Sequence, residues 1–210
     1  MNLETSKNLG GIGAILLVIG FLGFIGTGYS GILSLIGLVL VLIAMKGLSD
    51  YYKEAGIFNN TLYGFVTSII AVVAFVAVIA VTLLKTLADL GIADWTNTAE
   101  WVATFQENLF DMSALFTFVG GIILAFVVLF ILLVIAAIFY RKSLNMLSSK
   151  SGVGMFSTAG LLLLIGAVLT IIVIGVIIIW IATILLAVAF FSIKPATTQT
   201  TPSTSPPPPV

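Results

Sequence analysis

Five carboxylates, Asp89, Asp94, Glu100, Glu107 and Asp111, lie between Lys85 and Ser113 with only that lysine to offset them, the densest polar chemistry in the chain. From Thr98 onward their spacing turns helical. At about 100° per residue, Trp101, Phe105, Leu109 and Met112 share one narrow arc and Glu100, Glu107 and Asp111 take the opposite side. Such a helix lies flat at a membrane surface, aromatic side among headgroups and acids in water, with Thr98 or Asn97 capping its start. Carboxylates at 100, 107 and 111 have the oxygen donors that suit a hard cation such as Ca²⁺. No ligand-rich turn accompanies them, so they are expected to form a solvated acidic face and no metal site.

Cysteine and histidine are both absent, which removes disulfides, thiolate nucleophiles, imidazole bases and the commonest transition-metal ligands. No paired acids stand inside an apolar segment to activate water. The chain is therefore expected not to be an enzyme, and no catalytic, cofactor-binding or metal-binding residue is assigned. Eight basic residues balance eight acidic ones, so the total charge carries no preference for nucleic acid.

The elements that would hold these groups are set by composition. Of 210 residues, 60% are hydrophobic and 8% charged, and mean hydropathy is +1.29. Soluble domains carry roughly one quarter charged residues, so this chain is expected to cross a lipid bilayer. Apolar runs extend from Leu9 to Ala44, Leu62 to Leu84, Leu115 to Tyr140 and Met155 to Ile193. As single helices the first and last would exceed about 50 Å, against a hydrocarbon core of about 30 Å. Each must fold back on itself. In the first the break is Gly26-Thr27-Gly28-Tyr29-Ser30-Gly31. In the last no polar residue marks it, and the turn is placed around Thr170 to Gly175, which brings Trp180 within about one turn of the interface.

The expected fold is all-α, a polytopic transmembrane bundle of about six spans that includes two tight helical hairpins, with an outer amphipathic helix. The spans fall near 9–26, 31–46, 62–84, 115–140, 155–172 and 176–193 in one domain of residues 1–194. Connections then occupy 47–60, 85–113 and 141–153. Lys7, Lys46, Lys53, Arg141, Lys142, Lys150 and Lys194 all fall on one side and only Lys85 on the other. By the positive-inside rule that side is cytoplasmic and holds both termini. The N-terminal apolar run outlasts a signal-peptide core and no small-residue cleavage site follows it, so it is expected to remain as a span.

No span has an ionisable residue in its interior; Lys46, Lys85 and Arg141 sit at span ends, where long side chains reach the interface. Small residues suggest close helix packing, in the row Gly20, Gly23 and Gly26, in the row Ala71, Ala74, Ala77 and Ala80, and in the ladder Thr117, Gly121 and Ala125. Gly20 to Lys46 and Gly166 to Lys194 share an order of glycine, apolar helix, glycine break, apolar helix and lysine, the pattern of a parallel repeat. Asn59-Asn60-Thr61 matches the N-glycosylation pattern but lies on the inner side, where no glycan is expected. Residues 195–210 hold all six prolines and read as a disordered, extended tail, with docking of a proline-recognising partner as the alternative.

Three stretches resemble an archaeal multi-pass membrane family known as domain of unknown function 996. They are Ser6-Lys7-Asn8-Leu9-Gly10-Gly11-Ile12-Gly13-Ala14-Ile15-Leu16-Leu17, Gly47-Leu48-Ser49-Asp50-Tyr51-Tyr52 with Ile57-Phe58-Asn59, and Leu185-Leu186-Ala187-Val188-Ala189-Phe190-Phe191-Ser192-Ile193-Lys194-Pro195. The resemblance implies an archaeal cell membrane and transfers no activity. The expected function is that of a non-catalytic structural or accessory membrane component, acting through helix packing and contacts with lipid, with further copies of itself or with other membrane proteins. The alternative is a small channel or carrier built on the glycine-broken hairpins.

Overall fold

The computed structural model of the chain describes residues 2–23, 30–91, 97–107, 112–172 and 174–195. Residues 26–29 of the expected first hairpin break and the tail from residue 196 lie outside them, while Ser30 and Gly31 begin α2. The described residues form α1 (Leu3–Gly23), α2 (Ser30–Tyr52), α3 (Ala55–Asp89), α4 (Thr98–Glu107), α5 (Met112–Ser151), α6 (Met155–Leu169) and α7 (Ile174–Phe191). All but α4 are long and apolar enough to cross a membrane, α6 once it is taken together with the residues through Ile172. The protein is a helical integral membrane protein.

The last apolar run does fold back. A single 3-10 turn over Thr170–Ile172 separates α6 from α7. The Thr170 hydroxyl donates to the Gly166 carbonyl at 2.8 Å, which satisfies a polar group inside an apolar segment. Gly175 lies against that same carbonyl, so close that a Cβ there would collide with it. The hairpin is made by small residues, which explains why no polar punctuation announces it.

Two expectations change. Residues 47–52 and 55–60, read as part of a connection, continue α2 and α3, and only Lys53 and Glu54 turn the chain. Arg141 to Ser151 likewise extends α5, leaving Gly152 to Gly154 as the turn. The added helix is held by polar groups that apolar periodicity ignores. Ser143 on α5 donates to the Ile57 carbonyl on α3 at 2.6 Å, and the Thr61 and Ser143 hydroxyls meet at 2.7 Å. Lys150 reaches Glu54 at 3.3 Å. Gly152, with φ of 72°, takes the left-handed conformation that glycine adopts without steric cost and so ends α5. With 35 and 40 residues, α3 and α5 are about 52 and 60 Å long and outreach the other helices.

The helices pack in a ring, α1 to α2, α2 to α3, α3 to α5, α5 to α6, α6 to α7 and α7 back to α1. The buried core lies at one end of it. Leu3, Met45, Leu48, Ile57, Leu147, Phe156, Phe190 and Ile193 belong to one cluster, which gathers the start of α1, the end of α7 and both short turns. Gly10 of α1 leaves room for the Phe190 ring, which meets Phe156 edge-on at 5.2 Å between centroids. Toward the other end, Val72, Val73, Val76, Phe116, Ile123 and Phe126 are exposed, as side chains facing lipid would be.

Small residues serve close approach, though not in every expected row. Gly13 and Gly37 press the backbones of α1 and α2 together, and Gly121 opposes Thr82 between α5 and α3. In the alanine row Ala71 is buried while Ala77 and Ala80 are exposed, because a step of three residues drifts around the helix. Gly13 and Gly37 are not the glycines that the repeat alignment pairs with Gly166 and Gly175.

Candidate functional site: a central apolar cavity

Above the packed end, the ring surrounds a partly open cavity of about 220 Å³ to which every spanning helix contributes. Its walls include Leu17 of α1, Leu38, Val41 and Met45 of α2, Thr61 and Ser68 of α3, Tyr140 and Leu144 of α5, Leu163 of α6, and Thr183 and Leu186 of α7. A second void of about 140 Å³ shares Ser68, Tyr140 and Leu163 with it and continues toward Ala167 and Ile179. Met45, Leu144 and Leu186 belong to both the cavity wall and the buried core, so the core forms the cavity floor.

The hydroxyls in the wall are already engaged. Thr61 donates to the Ile57 carbonyl at 2.9 Å, Ser68 to the Gly64 carbonyl at 2.8 Å and Thr183 to the Trp180 carbonyl at 2.7 Å. The Tyr140 phenol lines both the cavity and the second void beside Ser68. Each threonine or serine has turned its proton onto its own helix, the usual way to hide a hydroxyl in an apolar segment. Among the described residues no buried side-chain nitrogen or oxygen lacks a hydrogen-bond partner. The cavity therefore offers shape and apolar surface, with no charged group in its wall.

The groups singled out for chemistry lie elsewhere. Glu100 and Glu107 sit on α4, Asp89 ends α3, and Asp94 and Asp111 fall outside the described residues. Among the described residues no three acids come together to hold an ion. Asn97 caps α4, its side-chain oxygen accepting from the Glu100 amide at 3.2 Å. Of the helix expected as far as Met112, Thr98–Glu107 is described, residues 108–111 lie outside the described residues, and Met112 begins α5. Lys46 pairs with Asp50 at 2.8 Å and stands 5.4 Å from the Phe58 ring centre, the posture of an interfacial anchor. Lys85 lines an outer groove between α3 and α5 with Thr82, Thr117 and Gly121. The α-carbon of Arg141 packs against Gly160 of α6. Trp180 is drawn inward, its indole N–H donating to the Val18 carbonyl at 3.4 Å and its ring stacking on Phe21. Asn59 and Thr61 of the glycosylation pattern lie within α3, and Thr61 is buried.

Sequence reading passed over Ser68, Tyr140 and Thr183. Their one signal was a hydroxyl within an otherwise apolar span.

A family model described as a protein of unknown function (DUF996) matches residues 33–184. The chain is also 32% identical over 193 residues to the uncharacterized protein MJ1644 of Methanocaldococcus jannaschii, an alignment that covers 92% of this chain and 94% of that one. No solved structure matches.

Proposed function

Since the chain belongs to the DUF996 family of proteins of unknown function, we propose from its geometry that it is a non-catalytic accessory component of the cell membrane, one that binds lipid or protein partners and conducts no solute. The observation that supports this is the floor of the cavity. Phe156, Phe190, Met45, Leu48, Ile57 and Leu147 are each at most 2% exposed and close the ring at the end that gathers the termini. A hydrated ion passing there would need replacement oxygen ligands, or a chain of titratable side chains to relay a proton, and the cavity wall supplies no carboxylate or basic group, only the Tyr140 phenol. Lys7, Lys46, Lys53, Lys142, Lys150 and Lys194 cluster at that same end, which we assign to the cytoplasm together with both termini. The chain's partners in this reading are the bilayer itself and either further copies or other membrane proteins.

A small carrier is the second reading. It draws on the close backbone contacts Gly13 to Gly37 and Gly166 to Gly175, since smooth glycine faces let paired helices shift. Reconstitution into liposomes separates the two. Under an imposed proton or sodium gradient the purified protein is expected to give no gradient-dependent uptake, and a Lys85→Ala, Arg141→Ala double variant should behave identically. Saturable uptake that collapses with the gradient would replace the accessory reading with the carrier.

A further inference from the structure

We propose that the central cavity is a binding site for an alkyl chain, which enters from the bilayer through the seam between α2 and α3. The proposal deepens the accessory reading by naming what the protein binds, and it rests on that reading.

Three observations carry it. The first is chemical: Leu17, Leu38, Val41, Leu163 and Leu186 supply most of the wall, the protons of Thr61, Ser68 and Thr183 are all spent on backbone carbonyls, and the Tyr140 phenol is the one other hydroxyl in it. A polar solute would give up its hydration there and regain few hydrogen bonds, whereas a methylene chain gives up nothing. The second is size. A void of about 220 Å³ exceeds several times the roughly 30 Å³ share of one liquid water, and cavities of such size walled mostly by aliphatic side chains accept apolar guests. Left empty, it would forfeit the dispersion contacts that hold helices together in lipid, where burial of apolar surface gives no driving force of its own.

The third observation is access. Of all neighbours in the ring, α2 and α3 share the least contact, although a two-residue turn joins them. Both line the cavity, α2 through Leu38, Val41 and Met45 and α3 through Thr61 and Ser68. Leu35 and Val39, near Leu38 on α2, are exposed to the surroundings. A chain lying along that face reaches the cavity by passing between the two helices.

Photocrosslinking tests this with the full chain in vesicles of a phospholipid whose tail carries a diazirine. Adducts are expected on Leu38, Leu163 and Leu186 in addition to exposed positions such as Val73 and Ile131. Leu163→Trp, which fills the cavity, should lower the yield at Leu38 and Leu186 about tenfold, equivalent to about 1.4 kcal/mol of binding, and leave Val73 and Ile131 unchanged. Leu163→Ala, which enlarges it, should raise the inner yield and so serves if the tryptophan variant does not fold. Competition by n-decanol distinguishes the source of the chain. Loss of the inner adducts shows that a free amphiphile takes the site, and their persistence shows that a membrane lipid holds it. Adducts on Val73 and Ile131 alone, or inner adducts that ignore both substitutions, would overturn the proposal. The uptake assay reports separately: inner adducts with gradient-driven uptake would discard the accessory reading and keep the alkyl site.

Discussion

Replacing Gly13 with alanine is expected to force α1 away from α2 and to destabilise the protein by about 3 kcal/mol, at the upper end of overpacking effects. A Cβ on Gly13 would sit 2.7 Å from the Gly37 carbonyl oxygen and 2.9 Å from both the Val41 nitrogen and the Leu40 Cβ. Two of those three neighbours are backbone atoms, which no rotamer change can move aside. Gly37 mirrors the situation, its Cβ falling 2.6 Å from the Gly13 carbonyl oxygen. Either Gly→Ala change should therefore cost alike, and the double variant less than their sum, because the first separates the helices for both. Gly120 on α5 is the control, since nothing lies within 4 Å of a Cβ there. Its alanine variant should be neutral or more stable by up to about 1 kcal/mol, the ordinary gain at a helix interior. Thermal unfolding in detergent, followed by loss of helical circular dichroism, measures all four variants. Equal midpoints for the Gly13 and Gly120 variants would show that the α1–α2 approach is looser than described.

Phe190→Ala is expected to cost about 3 kcal/mol, at the low end for loss of a buried aromatic. The ring is fully buried, packs edge-on against Phe156 and lies on the bare backbone at Gly10. Its removal leaves a void that three helices, α1, α6 and α7, cannot close together. The low end applies because in a bilayer the lost term is packing, with little transfer from water added to it. Phe116→Ala makes the contrast: Phe116 is 70% exposed, and its loss should change stability by no more than about 0.5 kcal/mol. A Gly10→Leu, Phe190→Ala pair should recover part of the loss by refilling the void from the opposite helix. Equal effects of Phe190→Ala and Phe116→Ala on the unfolding midpoint would mean that the terminal end is not where the bundle is held.

Membrane class, the number of long helices and the hidden turn at Thr170 to Ile172 were legible in the sequence, because chain length per apolar run is a strict constraint in a bilayer. Helix neighbours were not. In water, an apolar stripe on a polar helix marks the buried face; here both the lipid face and the packed face are apolar, so Leu35 and Leu38 look alike although one is exposed and the other lines the cavity. The same ambiguity made the alanine row of α3 look like one interface. Helix ends were misread for the opposite reason. Asn60, Thr61 and Ser143 look like loop residues, but their partners are the carbonyls and hydroxyls of α3 and α5, a pairing that only the folded chain brings together.

The candidate site was scarcely legible. Charge density points instead to the acidic segment after Lys85, where it is highest. The cavity is assembled from one or two residues per helix, separated in sequence by as much as the distance from Leu17 to Leu186. Ser68, Tyr140 and Thr183 were the only hints, and the Ser68 and Thr183 hydroxyls are each bound to a carbonyl of their own helix. Such a site emerges from the ring order, which follows from glycine contacts such as Gly13 to Gly37 and Gly160 to Arg141.

We propose that the packed end, with the start of α1, the end of α7 and both short turns, faces the cytoplasm in a six-span chain. Single cysteines test it directly, because the chain has none of its own. Lys53, Ala99 and Ser149 are all exposed positions, on the α2–α3 turn, on α4 and near the end of α5. In intact cells a membrane-impermeant thiol reagent should label the Ala99→Cys variant and leave Lys53→Cys and Ser149→Cys unlabelled until the membrane is permeabilised. Labelling of Ser149→Cys together with Ala99→Cys would contradict the span count, and labelling of Lys53→Cys and Ser149→Cys without Ala99→Cys would reverse the orientation.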